Sequence, residues 1–211
     1  MTTIIETSFD VASFEEKYRS IFSTAETHLK NAEYFIRDKT IEGGVLIPAI
    51  NELRYAGYHA AQALDPTLSE AEKIEEYKKA IAHCERACFD SLDAQLQFCL
   101  RECKTFSNDY KLVVISRVIP NYIDNRTLIE NIKDDLKKQN DKESRWQCIE
   151  KYLNKVSNIS KQWNNAREEL NKILKEAVDK RWHDTVKLSC TVIGLLLVGI
   201  TTIISIFMSF R

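Results

Sequence analysis

Arg54 and His59 are the side chains whose types and spacing most suggest chemistry in this sequence. Arginine binds anionic oxygen atoms through a fixed fork of donors, and histidine exchanges protons near neutral pH. Both lie in the stretch NELRYAGYHAAQAL, whose apolar pattern predicts a helix that packs into a core. Side chains five residues apart diverge by about 140° around a helix. A shared site is therefore easier to build across two chains than within one.

A structural explanation of the same pair stays open. Glu52, or a carboxylate from another helix, would pair with Arg54, and His59 would be an interior histidine with satisfied hydrogen bonds. An unpaired charge on a buried helix is costly, so such partners are expected. In that case both residues contribute to packing or to a subunit contact.

The cysteines of the next predicted helix form a second candidate site. Cys84, Cys88, Cys99 and Cys103 make two C-x3-C pairs, and His83 adjoins the first. Residues four apart share a helix face, so a zinc ion is conceivable, but structural zinc sites usually take their cysteines from tight turns. The same positions continue an apolar stripe, in which thiols behave as small hydrophobes. We expect core packing, no metal and no cofactor; no phosphate-binding glycine loop or hydrolase triad order is present.

Composition predicts an all-α protein. Of 211 residues only 5 are glycine and 3 are proline, which leaves little turn chemistry for strands. Thirty basic and 31 acidic residues give a net charge of -1, so no global field recruits nucleic acid and no DNA-binding signature appears.

The periodicity of apolar residues places the elements. We predict helices over about 8–38, 48–64, 69–106 and 126–138, with a helical turn or packed connection in the stretch 111–123. Pro48 suits a first helical turn, and Ser69 with Glu72 forms a capping-box signature. From Glu143 we predict an unbroken helix that is either a stalk or the last helix of the bundle. The resulting domains are 1–140, a helical domain; 141–187, a long amphipathic helix; and 188–210, a transmembrane helix.

The segment Leu188 to Phe210 predicts a membrane anchor. It runs 23 residues without a charge, roughly 34 Å as a helix, which is enough to cross a hydrocarbon core of about 30 Å. Lysines and arginines flank its N-terminal side, while Arg211 alone follows it. The positive-inside rule then predicts a single-pass protein of the inner (cytoplasmic) membrane, with its N-terminal domain in the cytosol.

One face of that predicted helix is small and hydroxyl-rich. Within an arc of about 120° lie Gly194, Thr201 and Ser205, among other small residues, while Leu, Ile, Val and Phe dominate the remainder. Close packing between helices uses such a stripe, and so does a narrow wet pore. We interpret it as a helix-packing or pore-lining face.

The R-x4-H motif in an all-helical domain resembles the HEPN superfamily, many of whose members are ribonucleases of toxin and antiviral systems. The resemblance covers about residues 9–140 as a fold pattern and implies a HEPN-like bundle. Carried over, Arg54 would bind the scissile phosphate and His59 would transfer protons, in a cleft between two protomers and without a metal. Active members often have a polar residue directly after the arginine, whereas this chain has Tyr55.

The combination of this domain with a self-associating span is similar to the small HEPN-like membrane accessory proteins of RNA-targeting CRISPR systems. That resemblance implies an effector of bacterial antiviral defence that acts as a homo-oligomer to perturb or permeabilise the membrane. Its implied partners are the membrane and an RNA or RNA-guided effector complex. Two alternatives remain: a membrane-tethered, metal-independent ribonuclease that uses Arg54 and His59, and a non-catalytic membrane adaptor.

Overall fold

A computed structural model of the chain describes the backbone of residues 10–37 and 46–209, and the side chains of 10–34, 46–200 and 208. Within these ranges the chain is all-helical, as predicted, without a strand. The helices are α1 Val11–Arg37, α2 Ile47–Ala63, α3 Glu70–Asp109, a 3-10 turn Ile115–Arg117, α4 Tyr122–Lys138, α5 Lys142–Asn165 and α6 Arg167–Ser209.

Local hydrogen bonds explain where these helices begin. Pro48 occupies the first turn of α2. Ser69 and Glu72 form the predicted capping box at the start of α3, because the Ser69 backbone N–H donates to Glu72 Oε2 at 2.8 Å and the Glu72 N–H donates to Ser69 Oγ at 3.4 Å. Asp141 caps α5 by accepting the Ser144 N–H at 2.8 Å. Each cap satisfies backbone donors that a helix start leaves without a partner.

The described residues form two compact units. Unit 1 comprises the described parts of Met1–Cys103 and Thr127–Ser160, and unit 2 those of Lys104–Arg126 and Lys161–Arg211. In unit 1, small side chains let three helices approach closely. This cluster is made by Ala25 and Leu29 of α1, Ala49 and Ala56 of α2, and Cys84, Ala87 and Cys88 of α3.

Unit 2 is centred on aromatic side chains. Trp163 is only 1% exposed, and its ring centroid lies 5.1 Å from that of Phe106 and 4.9 Å from that of Tyr122. The Arg167 guanidinium lies 5.3 Å above the Phe106 ring, within range of a cation–π interaction.

The unbroken helix predicted from Glu143 is wrong at one residue. Ala166 is a turn between α5 and α6, where its N–H is shared between the carbonyl oxygens of Gln162 at 3.3 Å and Trp163 at 3.1 Å. Two asparagines precede this point, and asparagine is a poor helix former. Segment 141–187 is therefore divided between two helices. The burial of Ile149 and Val156 favours the bundle alternative over the stalk for α5.

Candidate functional site

Two facing polar stripes of unit 1 form the candidate site, which we name the Glu–His cluster. On α2 the stripe contains Glu52, Tyr55 and His59, at positions i, i+3 and i+7. On α3 it contains Glu76, Lys79, His83 and Arg86, at i, i+3, i+7 and i+10. These spacings keep each set on one face of its helix.

The two helices exchange glutamate–histidine pairs reciprocally. His59 Nδ1 of α2 lies 2.7 Å from Glu76 Oε2 of α3, and His83 Nδ1 of α3 lies 2.7 Å from Glu52 Oε2 of α2. Each helix carries its glutamate seven residues before its histidine. Antiparallel helices therefore bring each histidine opposite the other helix's glutamate, and both pairs form at once.

The aromatic rings of the cluster stack in series. The His59 and His83 ring centroids are 5.3 Å apart with the planes 15° from parallel. Tyr55 also stacks on His83, with centroids 5.4 Å apart, and the Arg54 guanidinium lies 5.0 Å above the Tyr55 ring. Tyr58 contacts His59 edge-on at 5.3 Å. Arg54 and His59 thus belong to one cluster, in which Arg54 contacts Tyr55 and His59 contacts His83.

The carboxylates of the cluster are held ionised. Burial alone would raise the pKa of Glu52, but hydrogen bonds from Arg86 and His83 outweigh it and lower that pKa below its ordinary value. A hydrogen bond from Lys79, followed by one from His59, lowers the pKa of Glu76 against the opposing effect of burial. An ionised carboxylate only accepts hydrogen bonds, so each Nδ1 carries the proton. In a ring that carries only this proton, Nε2 is the basic nitrogen.

Arg86 closes one end of the cluster. Its Nε donates to Glu52 Oε2 at 2.7 Å, and its Nη2 lies 2.6 Å from His83 Nδ1. Nδ1 cannot both donate to Glu52 and accept from Arg86, so we assign its proton to the bond with the carboxylate. The His59 and His83 side chains are 19% and 18% exposed. Both imidazoles are therefore partly shielded from water but remain reachable from it.

Sequence reasoning located part of this cluster. The expected partner of Arg54, Glu52, pairs instead with His83 and Arg86. Among the described residues no carboxylate forms an ion pair with Arg54, whose side chain is exposed. The expected carboxylate for His59 is present and is Glu76. Glu76 and Arg86 were missed as functional residues, and His83 was considered only as a neighbour of the cysteines. The signal that could have found them is the Glu–His spacing of seven residues, which occurs in both helices.

The cysteines lie in the core, as predicted. Cys84, Cys88, Cys99 and Cys103 are buried, and burial raises the pKa of Cys84 and of Cys103 to about 12. Thiols with such pKa values stay protonated at neutral pH, and the thiolate is the form that binds metals and attacks electrophiles. Within the described ranges, no group of three or more His, Cys, Asp or Glu side chains is arranged to hold a metal ion.

The predicted membrane stripe is described only in part. A Cβ atom added at Gly194 would meet no atom within 4 Å, so a neighbouring helix has room to approach. Thr191, also on the stripe, donates its hydroxyl to the Lys187 carbonyl oxygen at 2.9 Å, which leaves its own oxygen free to accept. The side chains of Thr201 and Ser205 lie outside the described residues.

No model of a protein family, no curated protein and no solved structure matches this chain.

Replacing Glu52 with glutamine is expected to lower the free energy of unfolding by about 1–3 kcal/mol at pH 7, since two hydrogen bonds lose their charged acceptor. Because folding lowers the pKa of Glu52, its stabilisation is fully present above an ordinary glutamate pKa of about 4.3 and is lost as the pH falls through the folded-state value. Urea unfolding in a nonionic detergent from pH 7 to pH 3 should show the two proteins converging. Glu130→Gln, at an exposed ion pair of α4, is the control and should show little difference at any pH.

Proposed function

We propose that this protein is a membrane-anchored, HEPN-like effector of bacterial antiviral defence, in which an oligomer of the chain perturbs or permeabilises the inner membrane. The observation that carries the proposal is α6. It extends over 43 residues, about 64 Å, and is long and apolar enough to cross a membrane. Every side chain from Val178 to Ile200 is exposed. From Leu188 to Ile200 the helix carries no charged residue, and such an uncovered apolar segment is unfavourable in water and favourable in lipid.

The exposed face of α2 supports self-association of the cytosolic domain. Ile47 is 62% and Leu64 70% exposed, and Ile50 and Tyr58 are exposed on the same side of the helix. Gly57 and Ala61 lie between them, and the space where Gly57 would carry a Cβ is open. These exposed apolar side chains and small residues, which surround Arg54 on the same face, suit packing against a second helix. A second copy of α2 would bring Arg54, which lies on this face, to the subunit contact.

The stripe of α6 would continue that association inside the bilayer. Gly194 permits close approach of two backbones, and hydroxyl groups that bond across membrane helices contribute about 0.6 kcal/mol each. Each contribution is small, but an oligomer repeats it at every contact. Perturbation of the membrane would require these helix faces to assemble closely. Anchoring alone would not perturb it.

The test replaces Gly194, Thr201 and Ser205 together with leucine. We expect the variant to insert into the membrane, because length and hydrophobicity are kept, but to lose both the oligomer seen by cross-linking and the depolarisation of expressing cells. The matched control changes Leu196, Ile200 and Ile203, on the opposite face, to valine and should retain both. Equal behaviour of the two triple variants would reduce α6 to a plain anchor and contradict the proposal.

A second candidate function, RNA cleavage, is favoured by the pairing of His59 with His83. Metal-independent cleavage needs a base that removes the 2′-hydroxyl proton and an acid that protonates the leaving 5′-oxygen. His59 and His83, each with its Nδ1–H held by a carboxylate, would divide these tasks. The ring with an unprotonated Nε2 would take the 2′-hydroxyl proton, and the ring that is also protonated at Nε2 would give that proton to the leaving 5′-oxygen. Arg54 would bind the scissile phosphate, and the exposed rings of Tyr55 and Tyr58 would stack with bases.

Substitution of Arg54, His59 or His83 by alanine separates these functions. If the chain is a ribonuclease, each variant should lose at least about a hundredfold in cleavage of a single-stranded RNA, the usual contribution of one acid or base, while oligomer size is unchanged. If the parent protein has no nuclease activity and a variant fails to assemble, the substituted residue belongs to a subunit contact. If the parent protein neither cleaves RNA nor depolarises cells, the non-catalytic membrane adaptor is the remaining alternative.

A further inference from the structure

A groove on unit 1, away from the Glu–His cluster, is lined by α1, α3 and α5. It consists of a cleft of about 700 Å³ and a second cleft of about 560 Å³, which share His28, Trp146 and Glu150 as lining residues. The α3 side chains that line it recur at helical spacing from Glu85 through Cys88 and Leu92 to Gln95. Ten residues of helix give the groove a length of about 15 Å.

The middle of the groove contains an apolar patch around Trp146. Trp146 is half-buried, and its ring is held against Phe89 with centroids 5.9 Å apart and planes 22° from parallel. Leu92 and Leu153 line the groove beside it. A tryptophan fixed in this way offers a large apolar surface that loses little conformational entropy when a ligand covers it.

The rim of the groove is acidic. Glu85, Glu143 and Glu150 line it, against one lysine, Lys142. All three glutamates are exposed, and among the described residues none of them forms an ion pair, whereas several other glutamates of unit 1, such as Glu26 and Glu75, do. Unpaired carboxylates around an apolar centre attract a ligand that carries positive charge beside apolar groups and repel nucleic acid.

We propose that this groove binds a basic amphipathic helix of a partner protein. Its apolar residues would cover Trp146, Leu92 and Leu153, while its lysine or arginine side chains would reach Glu85, Glu143 and Glu150. The groove offers no sheet edge to an extended peptide, whereas an apolar channel between helices suits a helix face with anchors at i, i+3 or i+4, and i+7. A small polyamine would satisfy the carboxylates but leave the apolar centre uncovered.

The proposal is tested with full-length protein in nanodiscs of zwitterionic lipid and a Lys/Leu amphipathic peptide of about fourteen residues, long enough to fill the groove as a helix. Binding is measured by fluorescence anisotropy of the labelled peptide, with empty nanodiscs as the blank. Its site is mapped by a photo-cross-linking amino acid placed at Thr24, which lines the groove, or at Lys30, which is exposed elsewhere on α1. We expect cross-linking from position 24 and little from position 30.

The matched charge variants decide the site. Glu85→Gln/Glu143→Gln/Glu150→Gln should weaken peptide binding about tenfold, as three exposed ion pairs of about 0.5 kcal/mol each would predict. Glu16→Gln/Glu70→Gln/Glu130→Gln removes the same charge outside the groove and should change binding less than about twofold. Equal losses in the two variants, or equal binding of a peptide with glutamate in place of lysine, would overturn the proposal. Competition by spermidine at the same concentration as the peptide would also overturn the proposal. Cross-linking of position 24 to a second copy of the chain would overturn it as well.

Discussion

Replacing Trp163 with alanine is expected to lower the free energy of unfolding by about 3–5 kcal/mol, the range for truncating a fully buried aromatic side chain. Trp163 is 1% exposed, and Phe106 and Tyr122 both lose their central contact when it is removed. The measurement is chemical unfolding of the full-length protein in a nonionic detergent, followed by far-UV circular dichroism.

Two further tryptophan variants calibrate that result. Trp182 is 69% exposed on α6, so Trp182→Ala should change stability by less than about 0.5 kcal/mol. Trp163→Phe should cost much less than Trp163→Ala, because it keeps an aromatic ring and removes the Trp163 Nε1–H, which has no hydrogen-bond partner in the described part of the chain. Equal losses for Trp163→Ala and Trp182→Ala would contradict the central position of Trp163 in unit 2.

Ending the chain after Lys187 is expected to move the protein from the membrane fraction to the soluble fraction. The deleted segment contains the uncovered apolar part of α6, which is favourable only in lipid or detergent. Sedimentation of cell lysates without detergent, followed by blotting, measures the distribution.

A charge variant separates the loss of hydrophobicity from the loss of length. Leu195→Arg/Leu196→Arg keeps all 211 residues but places two charges within the span, each costing about 2.5–3.5 kcal/mol on insertion scales. It should therefore reduce the membrane fraction, although less completely than truncation does. Full-length parent protein that stayed in solution without detergent would remove the membrane anchor and the proposed function with it.

The fold could be predicted from this sequence to the extent that it depends on local signals. Apolar periodicity located the long helices, and the Ser69–Glu72 capping box set the start of α3 because it involves neighbouring residues only. The one-residue break at Ala166 was missed because apolar residues recur every seven positions across it, at Ile149, Val156, Trp163 and Leu170, and all four are buried. A pattern of apolar residues does not record such a local change in backbone hydrogen bonding.

The candidate site was harder to predict because its residues are brought together by tertiary packing. His59 was recognisable as a proton-transfer group, but its neighbours Glu76 and His83 lie 17 and 24 positions later in the chain. Their pairing depends on which faces α2 and α3 present to each other, and small residues such as Ala56 and Ala87 decide that by allowing close approach. Those alanines carry no chemical signal, so the sequence alone did not identify them as determinants of the site.

The junction at Arg167 has a mechanical consequence for α6. The Arg167 Nε donates to Asn164 Oδ1 at 2.8 Å, its Nη1 donates to Asp109 Oδ2 at 2.8 Å, and Leu170, one turn later, is fully buried. Side-chain contacts thus fix the first turn of α6, while every described side chain from Val178 to Ile200 is exposed. Because backbone hydrogen bonds link each turn of an α-helix to the next, we expect a force on the far part of α6 to be transmitted to its first turn in unit 2. A rotation of its far end would then reach the aromatic rings around Trp163 through Arg167, which lies over the Phe106 ring.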